Sequence, residues 1–320
     1  MNLQIQPHFP VSVGKLWARG TDGARALGLP GGDVGGTSNM VTTEARTYDG
    51  GSSGGNNLLT SVTRYVEDSS TGQRVTEYVH DTRGRVIVVK NPQSPHSVTA
   101  YDERGRVTAT ATYSSTSGLT ASSVPTTTTN RLSYSTTLYD RLNRPYDQRT
   151  SRVNQSTGAV EQESSADVCL RTQTWYDAQG RVMKTQGSTV QKTEYDRLGR
   201  AIRRFTVAET DDSVYNDADD VSGDAVVEEV RTVYDDATGL VLATGTIQRH
   251  YDQTSLGALD SNADGDALKW TSANISGRLQ VTAMWYDSLD RLTTTAVYGT
   301  NHATSNSAYF DRDVLTAPSR

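Results

Sequence analysis

Apolar and polar residues alternate along this chain in short runs, and no stretch repeats at helical spacing. The clearest runs are RVIVVK (Arg85 to Lys90), RVTATATY (Arg106 to Tyr113), VRTVY (Val230 to Tyr234) and LQVTAMWY (Leu279 to Tyr286). A period of two, filled with Val, Thr and Tyr, predicts β-strands with one half-buried face. Clusters of Asp, Asn, Ser and Gly separate the runs, as hairpin connections require.

One connection recurs. It reads YDERGRV (Tyr101 to Val107), YDAQGRV (Tyr176 to Val182) and YDRLGRAI (Tyr195 to Ile202), with looser copies HDTRGRV (His80 to Val86), YDRLNRP (Tyr139 to Pro145) and YDSLDRL (Tyr286 to Leu292). Recurrence of this kind marks one supersecondary unit used many times. The phrase reads as a hairpin tip. Tyr ends a strand, and the Asp carboxylate accepts a backbone N–H two residues on. Gly then takes the left-handed conformation of a three-residue loop with a bulge. The Gly slot holds Gly84, Gly105, Gly180 and Gly199, and otherwise Asn143 or Asp290, the other residue types that enter that region at low cost. A longer tip reads DSSTG (Asp68 to Gly72), NQSTG (Asn154 to Gly158) and DDATG (Asp235 to Gly239). Tyr-Asp or His-Asp pairs begin at 48, 80, 101, 139, 176, 195, 234 and 286, with another turn candidate between successive ones. That alternation predicts an antiparallel meander with the Tyr-Asp tips along one edge.

These residues resemble the RHS, or YD, repeat family. YDERGRV, YDAQGRV and YDRLGRAI fit its core pattern closely, and with the looser copies the resemblance covers about Tyr48 to Arg312. The resemblance implies a long β-ribbon of hairpins that spirals into a hollow shell. In bacterial members such a shell encloses a toxic C-terminal polypeptide; in animal relatives it belongs to cell-surface adhesion receptors. No segment of the kind that closes the bacterial shell, and no toxin-like domain, is legible in this sequence.

The expected fold class is therefore all-β: an extended antiparallel meander of hairpins curling into an open β-wall or partial shell. Three regions are expected. Residues 1–57 form a Gly-rich N-terminal arm or linker (GGDVGG, GGSSGGNN), 58–314 the repeat domain and 315–320 a C-terminal tail. The Ser/Thr-rich stretch from Thr116 to Asn130 reads as a long mobile loop, and Asp211 to Asp224 as a solvated, self-repelling acidic insertion.

Composition narrows the function. Hydrophobic residues make up 34% of 320, with sixteen Tyr against three Phe, enough for a thin layer beneath a sheet but not a thick core. A net charge of −6 without basic clusters argues against nucleic acid as a partner. Cys169 alone excludes an internal disulfide framework and any multi-cysteine metal site. No apolar run reaches membrane-helix length. The N-terminal residues do not read as a secretory signal, so secretion or placement in the cell envelope, which the resemblance implies, requires another route or a longer parent chain.

The candidate metal site is LDSNADGDAL (Leu259 to Leu268). Asp260, Asn262, Asp264 and Asp266 alternate around Gly265 like the first half of a calcium loop, although Thr271 stands at the twelfth position in place of a bidentate Glu. The plainer reading is an Asp/Asn/Gly-rich surface turn. The five His are scattered, Cys169 sits in a strand-like run, and no nucleophile elbow is present, so no catalytic residue and no other cofactor is expected. The Asp and Arg of each tip (Asp102 with Arg106, Asp177 with Arg181, Asp196 with Arg200) are expected to pair across the turn as register and solubility devices, with a ligand-binding ladder as the second reading. The function expected is a non-enzymatic structural segment that pairs with further repeat polypeptide or shields an enclosed toxin domain. The alternative is an adhesion or carbohydrate- and protein-binding module using exposed aromatics such as Trp175, Trp270 and Trp285.

Overall fold

The computed structural model describes residues 43–49, 55–65, 72–161, 169–210, 212, 215–261, 269–271, 275–298, 308–311 and 316–317. The strands are β1 (Glu44–Tyr48), β2 (Leu59–Tyr65), β3 (Gln73–His80), β4 (Val86–Lys90), β5 (His96–Tyr101), β6 (Val107–Tyr113), β7 (Arg131–Tyr139), β8 (Pro145–Ser151) and β9 (Cys169–Tyr176). They continue as β10 (Val182–Gln186), β11 (Val190–Tyr195), β12 (Ala201–Glu209), β13 (Ala225–Tyr234), β14 (Val241–Arg249), β15 (Lys269–Thr271), β16 (Gly277–Tyr286), β17 (Leu292–Tyr298) and β18 (Ala308–Asp311). One 3-10 helix, Tyr215–Asp219, is present among the described residues. The strand order follows the chain from β1 to β14 and then β16 and β17, while β15 pairs with β18. Among the described residues that order does not close on itself, so the fold is the all-β open meander that the alternation predicts. β1 forms within the stretch read from sequence as a Gly-rich arm.

Two compact units divide the chain: Met1–Leu138 with Arg149–Leu170, and Tyr139–Gln148 with Arg171–Arg320. In the first, Val88, Val98, Ala111, Tyr113 and Leu119 form a small core. Leu119 lies in the Ser/Thr-rich stretch, which is therefore not the mobile loop expected. The Tyr113 hydroxyl reaches down into it, 3.0 Å from the Thr127 carbonyl oxygen and 3.1 Å from that of Pro125. A buried phenol needs a polar partner, and here backbone carbonyls supply it.

The second unit has the larger core. One face of β12, β13, β14 and β16 buries Phe205, Val207, Val226, Val233, Ala243, Ile247, Leu279, Val281 and Ala283. Registers align these positions across strands: Glu229 opposes Ile247, which opposes Leu279. The β15–β18 strand pair covers this face. Trp270 is fully buried, with the Phe310 ring edge-on to it at 5.5 Å. Gly245 makes the seat, since a Cβ there would stand 3.0 Å from the indole. The sequence expectation of a thin layer holds here: one sheet face and a short covering strand pair, with no third layer among the described residues.

Candidate functional site

Two constructions organise charged residues among those described: the tips along one edge, and charged seats under the segments that cover the sheet.

Each tip begins where the sequence places it, with Tyr or His as the last residue of an odd-numbered strand, or of β16. Within each unit, consecutive Tyr-Asp tips are separated by two antiparallel strands and fall on the same edge. At Asp102 the backbone N–H of Gly105 donates to the Asp102 carbonyl (3.1 Å) and that of Asp102 to the Arg106 carbonyl (2.9 Å). The Asp102 Oδ1 accepts the N–H groups of Arg104 and Arg106, both at 2.9 Å, and Oδ2 accepts Arg106 Nε at 2.7 Å. Asp81, Asp140, Asp177, Asp196 and Asp287 repeat this pattern. Positive φ appears at Gly105 (84°), and the substitutes Asn143 (67°) and Asp290 (60°) adopt it too. At Asp102 the backbone N–H of Arg106 leads in holding the carboxyl below its ordinary range. At Asp177 burial pushes the carboxyl up, but the hydrogen bonds of Arg181 outweigh it.

Sequence reasoning missed where Arg85, Arg144, Arg181 and Arg200 go next: each reaches the following tip. Arg181 lies 4.4 Å over the Tyr195 ring and Arg200 4.5 Å over Tyr234; Arg85 covers Tyr101 at 4.6 Å and Arg144 covers Tyr176 at 4.3 Å. Arg181 Nη1 also donates to the Asp196 carbonyl at 3.3 Å. The tyrosine hydroxyl then donates back to the strand behind that arginine: Tyr195 to the Val182 carbonyl (2.8 Å), Tyr176 to Pro145 (2.7 Å) and Tyr101 to Val86 (3.1 Å). The motif is thus a latch between hairpins as well as a turn within one. A cation–π contact contributes about 0.5–1 kcal/mol and a net hydrogen bond about 1 kcal/mol, so each latch is modest and the series is not. One trace of this is visible in the chain itself. His80 replaces Tyr where the preceding tip offers Leu58, whose Cδ2 lies 3.5 Å from a Cβ built on Gly84.

The charged seats lie in the second unit. Lys184 and Lys192 face each other across β10 and β11 and are both 2% exposed. Two ammonium groups so placed repel unless they are neutralised. Asp212 bridges them, at 2.6 Å from Lys184 Nζ and 2.8 Å from Lys192 Nζ, and Asp224 lies 2.7 Å from Lys192. The carbonyls of Asp217 (3.1 Å) and Asp220 (2.5 Å) also accept from Lys192. The acidic insertion is therefore not a solvated loop over its described residues: it is clamped to the sheet, because buried cations require anions. A second seat joins Glu229 and Asp260 to Arg203 and Arg231. Arg203 Nη2 donates to Glu229 Oε1 (2.6 Å) and to the Asp260 carbonyl (2.6 Å); Glu229 Oε2 accepts the N–H groups of Leu259 (2.8 Å) and Asp260 (3.0 Å). Burial pushes the Glu229 carboxyl up, against the pull of Arg203. The signal for both seats was a charged residue in phase with the apolar face of its strand, such as Lys192 two residues after buried Val190.

The calcium candidate divides. Asp260 is buried, and its Oδ2 lies 2.5 Å from Arg231 Nη1, so a calcium loop would have to take it from that partner. Asn262, Asp264 and Asp266 lie outside the described residues. Of the aromatic candidates, Trp270 of β15 is fully buried against the sheet, which removes it from any exposed binding surface. Trp285 packs against the core, and Lys184 Nζ lies 4.6 Å from the centroid of Trp175. Cys169 begins β9 as a half-buried free thiol.

Cavities open on the described surface, and two of them bear on the site. One of about 530 Å³ lies beside the Asp177 tip, with Tyr176, Tyr195, Glu194 and Tyr215 in its walls. Burial pushes the Glu194 carboxyl up. The Tyr215 hydroxyl donates to the Tyr176 carbonyl and ties the 3-10 helix to the tip. The other, of about 270 Å³, lies in the first unit beside Arg131.

No family model matches the sequence, and no curated protein matches it. Among solved structures, the chain is similar to one in the Photorhabdus luminescens Tc holotoxin pore with mutated TccC3, at 13% identity over 85% of this chain and 15% of that one, with a TM-score of 0.34. It is also similar to a chain in the TcdB2-TccC3-TEV crystal structure (13% identity, 81% of this chain and 14% of that chain, TM-score 0.33). A third likeness is to TcdB2-TccC3 without its hypervariable C-terminal region (14% identity, 84% and 15%, TM-score 0.28). The chain spans about 15% of the length of the first of these structures.

Proposed function

We propose that this chain is a non-enzymatic wall segment of an RHS/YD-type protein, one that pairs with further repeat polypeptide and shields an enclosed polypeptide such as a toxin domain. The observation that carries the reading is the latch. At the tips the Asp carboxylate, the Arg guanidinium and the Tyr hydroxyl are spent on one another and on neighbouring backbone. Such an edge holds hairpins at a fixed spacing rather than presenting groups to a substrate. The charged seats work the same way, tying covering segments to the sheet. Export from the cell follows from the same reading, since a shielded toxin acts outside the cell that makes it.

The test is protection of the enclosed polypeptide. The continuous reading frame that contains this segment is expressed as one product with a protease site placed beyond the repeats. Under native conditions cleavage is expected to be at least tenfold slower than in the isolated peptide, and to recover in denaturant. Cleavage at the free-peptide rate under native conditions would refute the shielding role.

A further inference from the structure

We propose that the polar pocket beside Arg131 in the first unit is a binding site for a small oxyanion, either free or carried on a larger molecule. Four cationic side chains are buried among the described residues: Arg131, Lys184, Lys192 and Arg231. Three of them have a carboxylate oxygen at 2.5–2.8 Å. Arg131, only 3% exposed, has none among the described residues. Its Nε donates to the Gly158 carbonyl (2.8 Å), its Nη1 donates to the Pro125 carbonyl (3.0 Å), and the group lies 5.0 Å over the Tyr134 ring. Those dipoles orient the guanidinium without cancelling its charge, and a buried charge without a counter-ion is costly.

The pocket that Arg131 lines supplies what is missing. It holds about 270 Å³, well above the ~10–15 Å³ that seat one water. Its other walls include Ser114, Thr129, Asn130, Gln155 and Ser156, which bring hydroxyl and amide groups, and no Asp or Glu lines it. A metal cation is disfavoured by the arginine and by the absence of carboxylates from the lining. A phosphate, sulfate or carboxylate group fits, because a planar guanidinium pairs with such groups through two N–H donors and hydroxyls complete their coordination.

The experiment is calorimetric titration of the full chain with inorganic phosphate, against sodium chloride of equal ionic strength. Saturable, one-to-one heat specific to phosphate is expected. Ser156→Asp, at an exposed position in the pocket wall, supplies an internal carboxylate. It is expected to raise the melting temperature without phosphate and to weaken phosphate binding at least tenfold. Thr129→Glu, at another position in the pocket lining, serves the same purpose. A parallel titration with O-phosphoserine separates the sources: tighter binding than phosphate points to a group borne on a larger molecule, and equal or weaker binding to the free ion. Absence of oxyanion-specific heat in the wild-type chain, or unchanged binding in both carboxylate variants, would overturn the proposal.

Discussion

An arginine in this chain serves two hairpins at once. Arg181 closes its own turn through Asp177 and covers Tyr195 of the next, so its replacement acts at both places. Arg181→Lys keeps the charge but loses the planar fork, and is expected to cost about 1–2 kcal/mol in urea unfolding. Arg291, 73% exposed, keeps the same turn contact, and Arg291→Lys is expected to leave the urea midpoint unchanged within error. Glycines divide in the same way. Gly199 has φ of +84° and ordinary space around it, so Gly199→Ala is expected to cost about 1–2 kcal/mol. At Gly158 an added Cβ would stand 1.6 Å from the Thr128 carbonyl oxygen, a backbone atom that can move only with its loop. Gly158→Ala is therefore expected to cost clearly more than Gly199→Ala in the same urea series. The turn chemistry of both glycines could be read from sequence, because it depends on neighbours within five residues. The tight approach at Gly158 could not, because Thr128 lies thirty residues earlier and meets it only in the fold.

Elements that looked like solvent-facing inserts are the ones that cover the sheet. The acidic insertion was misjudged because its charge was weighed alone; its partners, Lys184 and Lys192, lie 20 to 32 residues earlier in strands whose alternation disguised them. Burial pushes the Asp212 carboxyl up, but the hydrogen bonds from Lys184 and Lys192 outweigh it and hold it below the ordinary 3.8. Burial pushes Lys192 down, and the hydrogen bonds to Asp212 and Asp224 outweigh it and lift it above 10.5. A depressed carboxyl contributes stability that is present above its unfolded value and lost as pH falls through the folded one. A raised ammonium contributes stability that is present below 10.5 and lost as pH rises through the folded value. Glu229 and Glu194, pushed above 4.5 by burial, act in the opposite sense and soften the acid limb. Urea midpoints are thus expected to hold between about pH 5 and 9, then to fall below about pH 4 and again at strongly alkaline pH. Lys192→Met strands Asp212 and Asp224 with less neutralisation and is expected to cost about 3 kcal/mol or more. It is also expected to open the Tyr215–Asp224 stretch to limited proteolysis, read by mass spectrometry of the first cut.

For the molecule as a whole, the all-β meander was legible because a period of two, a repeated turn phrase and Gly, Asn or Asp in one slot all agree. The second layer was not, because β15 and β18 are short and pair with each other across nearly forty residues. The two ends of the strand order differ in character. β1 carries Glu44 beside Arg46 and Arg64, whereas β17, LTTTAVY, has no charged residue and leaves Val297 62% exposed. Charged residues blunt an edge, and an uncharged β-branched edge invites another strand. The isolated chain is expected to self-associate with rising concentration in sedimentation velocity. Val297→Lys is expected to shift that association to higher concentration without changing the far-ultraviolet dichroism.

The handover from each arginine to the next tyrosine also limits how such a protein can lengthen or shorten. A gain or loss of one strand would put a tip on the wrong side and leave its arginine without a ring. A gain or loss of two strands restores every partner. Growth by duplication is therefore quantised in pairs of strands, and the repeat number can drift between relatives while the phase of the motif stays fixed.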